Sequence, residues 1–265
     1  MSIEYWFLLP VGVSIAFLAM SSGISAGTFW VPVYLLWAQF DAPVAFWMTL
    51  ATMLCGYGSG IVRNLRQGTI HRGFLVQYLP FTVPAAVVGG YLSPALNVCW
   101  VILLFGVFVG GYGTQMLVQR RRRPAMRRTL RRGLPWGIAV SGGALLGLIT
   151  VGLGELMLPR MLADRKLGRP ADAVGAAVLI IFVTSLAATI ARLNGPFMAA
   201  LVEQHPMLLR AMAFAAPGVI LGGQLGPMIV RQFNVRTLQL YVAVLLLLVG
   251  ALMLVRFLAM AEFMW

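Results

Sequence analysis

Apolar residues run in blocks along this chain, separated by short polar stretches. The blocks fall at about 6–23, 26–38, 44–62, 74–93, 98–118, 134–150, 155–163, 173–191, 208–230 and 237–258. A bilayer core of about 30 Å needs ~20 apolar residues in a helix. Most blocks reach that length. The stretch from Trp6 to Phe40 is too long for one crossing and too short for two complete ones. It is interrupted at Ser21-Ser22-Gly23-Ile24-Ser25-Ala26-Gly27. The stretch 134–163 has the same character, with its interruption between Gly147 and Gly154. Glycine and small hydroxyl residues weaken a helix and let its backbone open. In lipid an opened backbone survives only where protein or a water-lined cavity satisfies it. The pattern predicts an all-α polytopic membrane protein with about eight to ten membrane segments and two broken helices.

The pattern also repeats. Pro84-x4-Gly89-Gly90-x3-Pro94 has the same spacing as Pro217-x4-Gly222-Gly223-x3-Pro227. Gly27-x4-Pro32 matches Gly154-x4-Pro159 in the same order. Two homologous halves are therefore expected, a membrane repeat over 1–118 and a second over 134–265. A basic linker, 119–133, joins them.

Composition narrows the class. Sixty per cent of the 265 residues are apolar and ten per cent are charged, against about 25% charged in an average soluble domain. That hydrophobicity excludes a disordered chain, and so few charges cannot coat a soluble globule. The formal net charge of +13 does not imply nucleic acid, because the charge sits in short loops between apolar runs, where membrane orientation accounts for it. The linker QRRRRPAMRRTLRRG holds eight arginines and is expected on the cytoplasmic side, beside anionic lipid headgroups. Five segments per half put the halves in inverted orientation. Every basic residue except Arg192, Arg210 and Arg256 then lies on the linker's side; four segments per half place fewer there. The leading segment, Met1–Trp6, carries Glu4 and no basic residue, so the first helix is expected to be retained rather than cleaved. A multi-pass protein of the cytoplasmic (inner) membrane is the expected result. Cys55 and Cys99 lie in apolar runs and read as free thiols.

Inverted repeats with broken helices are an architecture of secondary transporters, which bind substrate where the repeats meet. Backbone N–H groups at the start of a half-helix favour an anion. The candidate substrate contacts at the first break are Ser21, Ser22, Ser25, Gly27 and Thr28, and at the second Thr150, Gly152 and Gly154. Thr49 and Thr52 share a face of the following long helix. Thr184, Ser185 and Thr189 occupy the corresponding helix of the second half. Against this stands plain helix packing, for which small and hydroxyl residues are enriched in membranes; the Gly89-Gly90 and Gly222-Gly223 pairs fit that role best. Glu155 is the proton-coupling candidate, since a carboxylate inside a membrane is costly and marks ion pathways. The alternative is a cap on the following short helix. Asp172 reads as a helix cap and Asp41 as a loop acid. His71 and His205 are placed in loops on opposite sides, so no metal site is expected. Gly56-Tyr57-Gly58-Ser59-Gly60 misses the serine-nucleophile pattern G-x-S-x-G, and no enzymatic activity is expected.

The two halves, the Gly-x4-Pro segments, Gly152-Leu153-Gly154-Glu155-Leu156 and the paired Pro-x4-Gly-Gly-x3-Pro segments together resemble the sulfite exporter TauE/SafE (TSUP) family of membrane anion transporters. The resemblance covers essentially the whole chain. Family members usually carry more glycine at the first break, which here reads Ser25-Ala26-Gly27. The resemblance implies transport, usually export, of sulfite, organosulfonates or related anions, with no bound cofactor. The expected partners are a small anionic substrate, protons as coupling ion and membrane lipids. A homodimer is compatible with the small-residue motifs and not required by them. Competing readings are a channel-like pore for anions or small solutes and a non-transport membrane scaffold.

Overall fold

The computed structural model describes residues 5–121, 135–162, 170–193, 195–229 and 235–262. Among these residues all regular structure is helical, with no strand. The first half holds α1 (Leu8–Ser22), α2 (Gly27–Pro32), α3 (Ala42–Gln67), α4 (Arg72–Leu92) and α5 (Val98–Arg121). The second holds α6 (Pro135–Ile149), α7 (Leu153–Met161), α8 (Pro170–Ala191), α9 (Gly195–Ile229) and α10 (Val235–Glu262). Each of the ten apolar blocks corresponds to one of these helices. Most of the arginine linker, and Arg165, Lys166, Arg169 and Arg231, lie outside the described residues.

Six helices are long and apolar enough to cross a membrane: Ala42–Gln67, Arg72–Ala95, Val98–Val118, Ala171–Ala191, Leu201–Gly226 and Leu240–Met260. The protein is a multi-pass membrane protein. Helices α1 and α6 have 15 residues each, about 22 Å of rise, short of the ~30 Å hydrocarbon core. Each is followed by a break and a second short helix. After α2 the chain widens into a π-helical turn, Val33–Trp37, directly behind Pro32, whose ring cannot sit in a regular helical ladder.

Helix α9 begins 13 residues before the apolar block 208–230, so His205 lies within a helix and not in a loop. Ala199, Ala200, Leu201, Glu203 and Gln204 are good helix formers. Hydropathy marks where a helix enters lipid, not where it starts.

The packing follows one scheme twice. Helix α1 lies against α9, and α6 lies against α4; α3 packs on α9, and α4 packs on α8. Helix α3 also meets α8, and α5 meets α10. The list is unchanged when α1–α5 exchange labels with α6–α10. Glycine sets the close approaches. A Cβ on Gly89 would lie 2.5 Å from the Ala144 carbonyl oxygen of α6, and one on Gly222 2.3 Å from the Val13 carbonyl oxygen of α1. Gly90 meets Ala188 of α8, and Gly223 meets Gly56 and Ser59 of α3. Both Gly-Gly pairs are thus used in contacts inside the molecule. In α5 and α10, Gly106 faces Leu254, Gly110 faces Gly250 and Gly113 faces Leu246, so the two helices run antiparallel. The outer surfaces carry exposed Val76, Val88, Leu209, Leu248 and Val255, an apolar coat suited to lipid.

Candidate functional site

Both breaks rest on a residue in the left-handed region. Helix α1 ends at Gly23 with φ +71° and α6 at Thr150 with φ +63°. Gly152 follows at φ +106°, where a side chain is strained. Measured from these turns, Gly27 and Gly154 hold the same place in the two breaks, as do Thr28 and Glu155. The breaks pack directly on one another at those residues. A Cβ on Gly27 would lie 2.2 Å from the Thr150 carbonyl oxygen, and one on Gly154 2.8 Å from the Gly23 carbonyl oxygen. Each glycine therefore receives the other half's turn.

The Glu155 side chain joins the two breaks. Its Oε1 accepts from the Ser25 N–H at 3.1 Å and from the Thr28 hydroxyl at 2.9 Å. Its Oε2 accepts from the Gly152 N–H at 2.9 Å. One carboxylate thus gathers donors from both halves, and it is 2% exposed. The Ser25 hydroxyl donates to the Thr150 carbonyl at 3.2 Å, a further link across the breaks. The Tyr57 hydroxyl, from α3, accepts from the Ala26 N–H at 3.0 Å and donates to the Ile24 carbonyl at 3.3 Å. The opened backbone is therefore satisfied by protein, as a membrane interior requires.

Of the predicted contacts, Ser25, Gly27, Thr28, Thr150, Gly152, Gly154 and Glu155 come together here. The others have different partners. Ser21 and Ser22 donate to the Phe17 and Leu18 carbonyls of their own helix. Thr49 donates to the Ala45 carbonyl, while Thr52 bonds to the Met48 carbonyl and to the Tyr34 hydroxyl. Thr184 pairs with Thr82 of α4 at 3.1 Å, and Thr189 donates to the Ser185 carbonyl. The Ser185 hydroxyl is buried with no hydrogen-bond partner. Asp41 precedes α3 and accepts from Gln204. Cys55 and Cys99 are free thiols.

Two contributors were not among the predicted site residues. Tyr57 lay in the motif weighed as a nucleophile turn, and nothing local marks its reach to Ala26. Arg192 follows α8 and reads as a loop cation, yet it is 2% exposed. Its Nη2 donates to the carbonyls of Gly147 and Leu148 at 2.7 and 2.8 Å, and its Nε donates to Gly147. Its guanidinium also lies 5.8 Å from the centre of the Phe46 ring. A buried guanidinium stands behind the second break and satisfies the Gly147 and Leu148 carbonyls in the last turn of α6.

Residues 8–253 match the family described as sulfite exporter TauE/SafE. The chain is 28% identical over 185 residues to the "Probable membrane transporter protein YunE" of Bacillus subtilis (strain 168). That alignment takes in 63% of this chain, which spans 64% of the relative's length. No solved structure matches the chain. With the family match running through both breaks and through every long helix, this chain belongs to the sulfite exporter TauE/SafE family of membrane transport proteins.

Proposed function

We propose that the protein is a secondary transporter that exports small sulfur-containing anions, such as sulfite or organosulfonates, across the cytoplasmic membrane. Its two halves, 1–118 and 134–265, act as inverted repeats joined by a cytoplasmic linker, and they alternate access around the paired breaks. The doubled packing scheme and the reciprocal Gly27 and Gly154 contacts support that reading. The observation that carries the site is the convergence of Ser25, Thr28 and Gly152 donors on one carboxylate. A donor set that holds a carboxylate is chemically a donor set for another oxyanion.

The geometry favours a particular order of events. Glu155 and a substrate anion need the same donors, so both cannot hold them as charged groups. An ionised carboxylate only accepts, whereas the protonated acid can turn one oxygen into a donor. A proton on Glu155 releases donors from the breaks, and the substrate anion takes them. One proton then travels with each anion in the same direction.

The test uses proteoliposomes loaded with sulfite, or with sulfoacetate, whose charge is constant near neutral pH. Efflux is expected to saturate and to accelerate when the lumen is more acidic than the bath. Glu155→Gln, permanently neutral, is expected to keep efflux and lose its response to the pH gradient. Failure of every such anion to move overturns the transport reading. An unchanged pH response in Glu155→Gln overturns the coupling.

A further inference from the structure

A cleft carrying charged side chains lies away from the breaks. This open cleft of about 720 Å³ is lined by the turn between α2 and α3, the start of α5, the end of α10 and part of α9. Because α5 and α10 are antiparallel, the start of α5 and the end of α10 share one end of the bundle. The linker leaves from the other end of α5, so the cleft sits at the face opposite the linker.

Two opposite charges line this cleft, Asp41 and Arg256, together with the amides Gln39 and Gln204. Asp41 Oδ2 accepts from Gln204 Nε2 at 3.1 Å. Arg256 donates through Nη1 to the Leu35 carbonyl at 2.8 Å, and its Nε is buried with no hydrogen-bond partner. No contact within 4.0 Å pairs the carboxylate with the guanidinium. Much of the remaining lining is apolar and includes an aliphatic wall of Leu35, Val44 and Ile102. Among the described residues the two charges line one cavity without pairing with each other. A bare anion gains Arg256 and is opposed by Asp41, and a bare cation meets the reverse.

We propose that this cleft binds a short zwitterion. Its carboxylate or other oxyanion group meets Arg256, its ammonium meets Asp41, and its methylenes lie on the aliphatic wall. Arg256 suits the oxyanion end because a guanidinium presents several donors in one plane. Gln204 holds the Asp41 carboxylate in place. The site is distinct from the breaks, and its ligand differs in charge from the anion proposed there.

The experiment is calorimetric titration of the full-length protein in detergent with β-alanine, propionate and propylamine. β-Alanine is expected to bind about tenfold more tightly than either single-charge probe, the factor of one charge-assisted contact. Asp41→Asn should weaken β-alanine about tenfold while leaving propionate unchanged or tighter. Arg256→Lys, which keeps the charge and loses the fork, should weaken both β-alanine and propionate. Melting temperatures matching the parent protein establish that the variants are folded, and Gln204→Ala serves as a second, milder probe of the Asp41 side. Propionate binding as tightly as β-alanine, or β-alanine binding that ignores Asp41→Asn, overturns the proposal. So does absence of β-alanine binding, or its displacement by sulfite in proportion to occupancy of the breaks.

Discussion

At the scale of single residues, the site depends on atoms that are missing. Gly27 and Gly154 let two backbone turns touch, and Thr28 and Glu155 then meet side by side at 2.9 Å. The two glycines are not equally tight. A Cβ at Gly27 would be 2.2 Å from a carbonyl oxygen, against 2.8 Å at Gly154. Both neighbours are backbone and cannot swing aside. Gly27→Ala is therefore expected to destabilise the protein by about 3 kcal/mol and Gly154→Ala by about 1 kcal/mol, the two ends of the usual overpacking range. Thermal unfolding in detergent reads the order; equal shifts would mean that the breaks are not in contact. Thr150 is the counterpart of Gly23, yet it carries a side chain at φ +63°. Its hydroxyl donates to the Ile149 carbonyl at 2.7 Å, a local bond within that turn.

At the scale of elements, the broken helices must settle their own ends. The last carbonyls of a helix have no partner within it. In α1 the Gly23 N–H bonds back to the Ala19 carbonyl, and the Ser21 and Ser22 hydroxyls bond one turn back. In α6 the work passes to Arg192 and to Ser93, which donates to the Leu148 carbonyl at 2.9 Å. The end of α6 thus draws donors from Ser93 and Arg192, both distant in sequence, whereas these bonds of α1 stay within its own turns. Arg192→Met removes all the guanidinium donors from two buried carbonyls. It is expected to cost about 3 kcal/mol, since a hydrogen bond to a charged group contributes ~1.5–3 kcal/mol. Arg192→Lys should recover part of that loss. A melting temperature untouched by Arg192→Met would show that the end of α6 needs no such partner.

At the scale of the whole molecule, the antiparallel pairing of α5 and α10 dictates sidedness. The end of α10 lies at the face opposite the linker, so a reporter fused after Met260 should emerge on the side opposite one inserted between Gln119 and Gly133. Paired periplasmic and cytoplasmic reporters in intact cells decide this. Both reporters on one side would contradict five segments in the second half. Exposed tryptophans agree with two boundaries. Trp6, Trp37 and Trp100 stand at the cleft face, and Trp136 stands at the start of α6. Tryptophan at these depths suits the membrane–water interface.

The sequence by itself determined the class, the helices and the breaks, because each follows from local chemistry. Runs of apolar residues form helices in lipid, and the glycine and hydroxyl clusters weaken them, with the helix interrupted over 23–26 and 150–152. Glu155 stood out because an acid inside such a run is costly. The matched Gly-x4-Pro segments were legible too, as a spacing. Only the tertiary structure decided that the two breaks cross each other, because that contact joins residues more than 120 positions apart. It also decided that Glu155 takes donors from both breaks at once, that Tyr57 ties the first break to α3, and that Arg192 folds back onto α6. Each of these is a long side chain or a bare glycine acting across the bundle, and hydropathy is blind to direction. The start of α9 at Gly195 has the same cause: polarity sets depth in the membrane, while helix propensity and packing set where the helix begins.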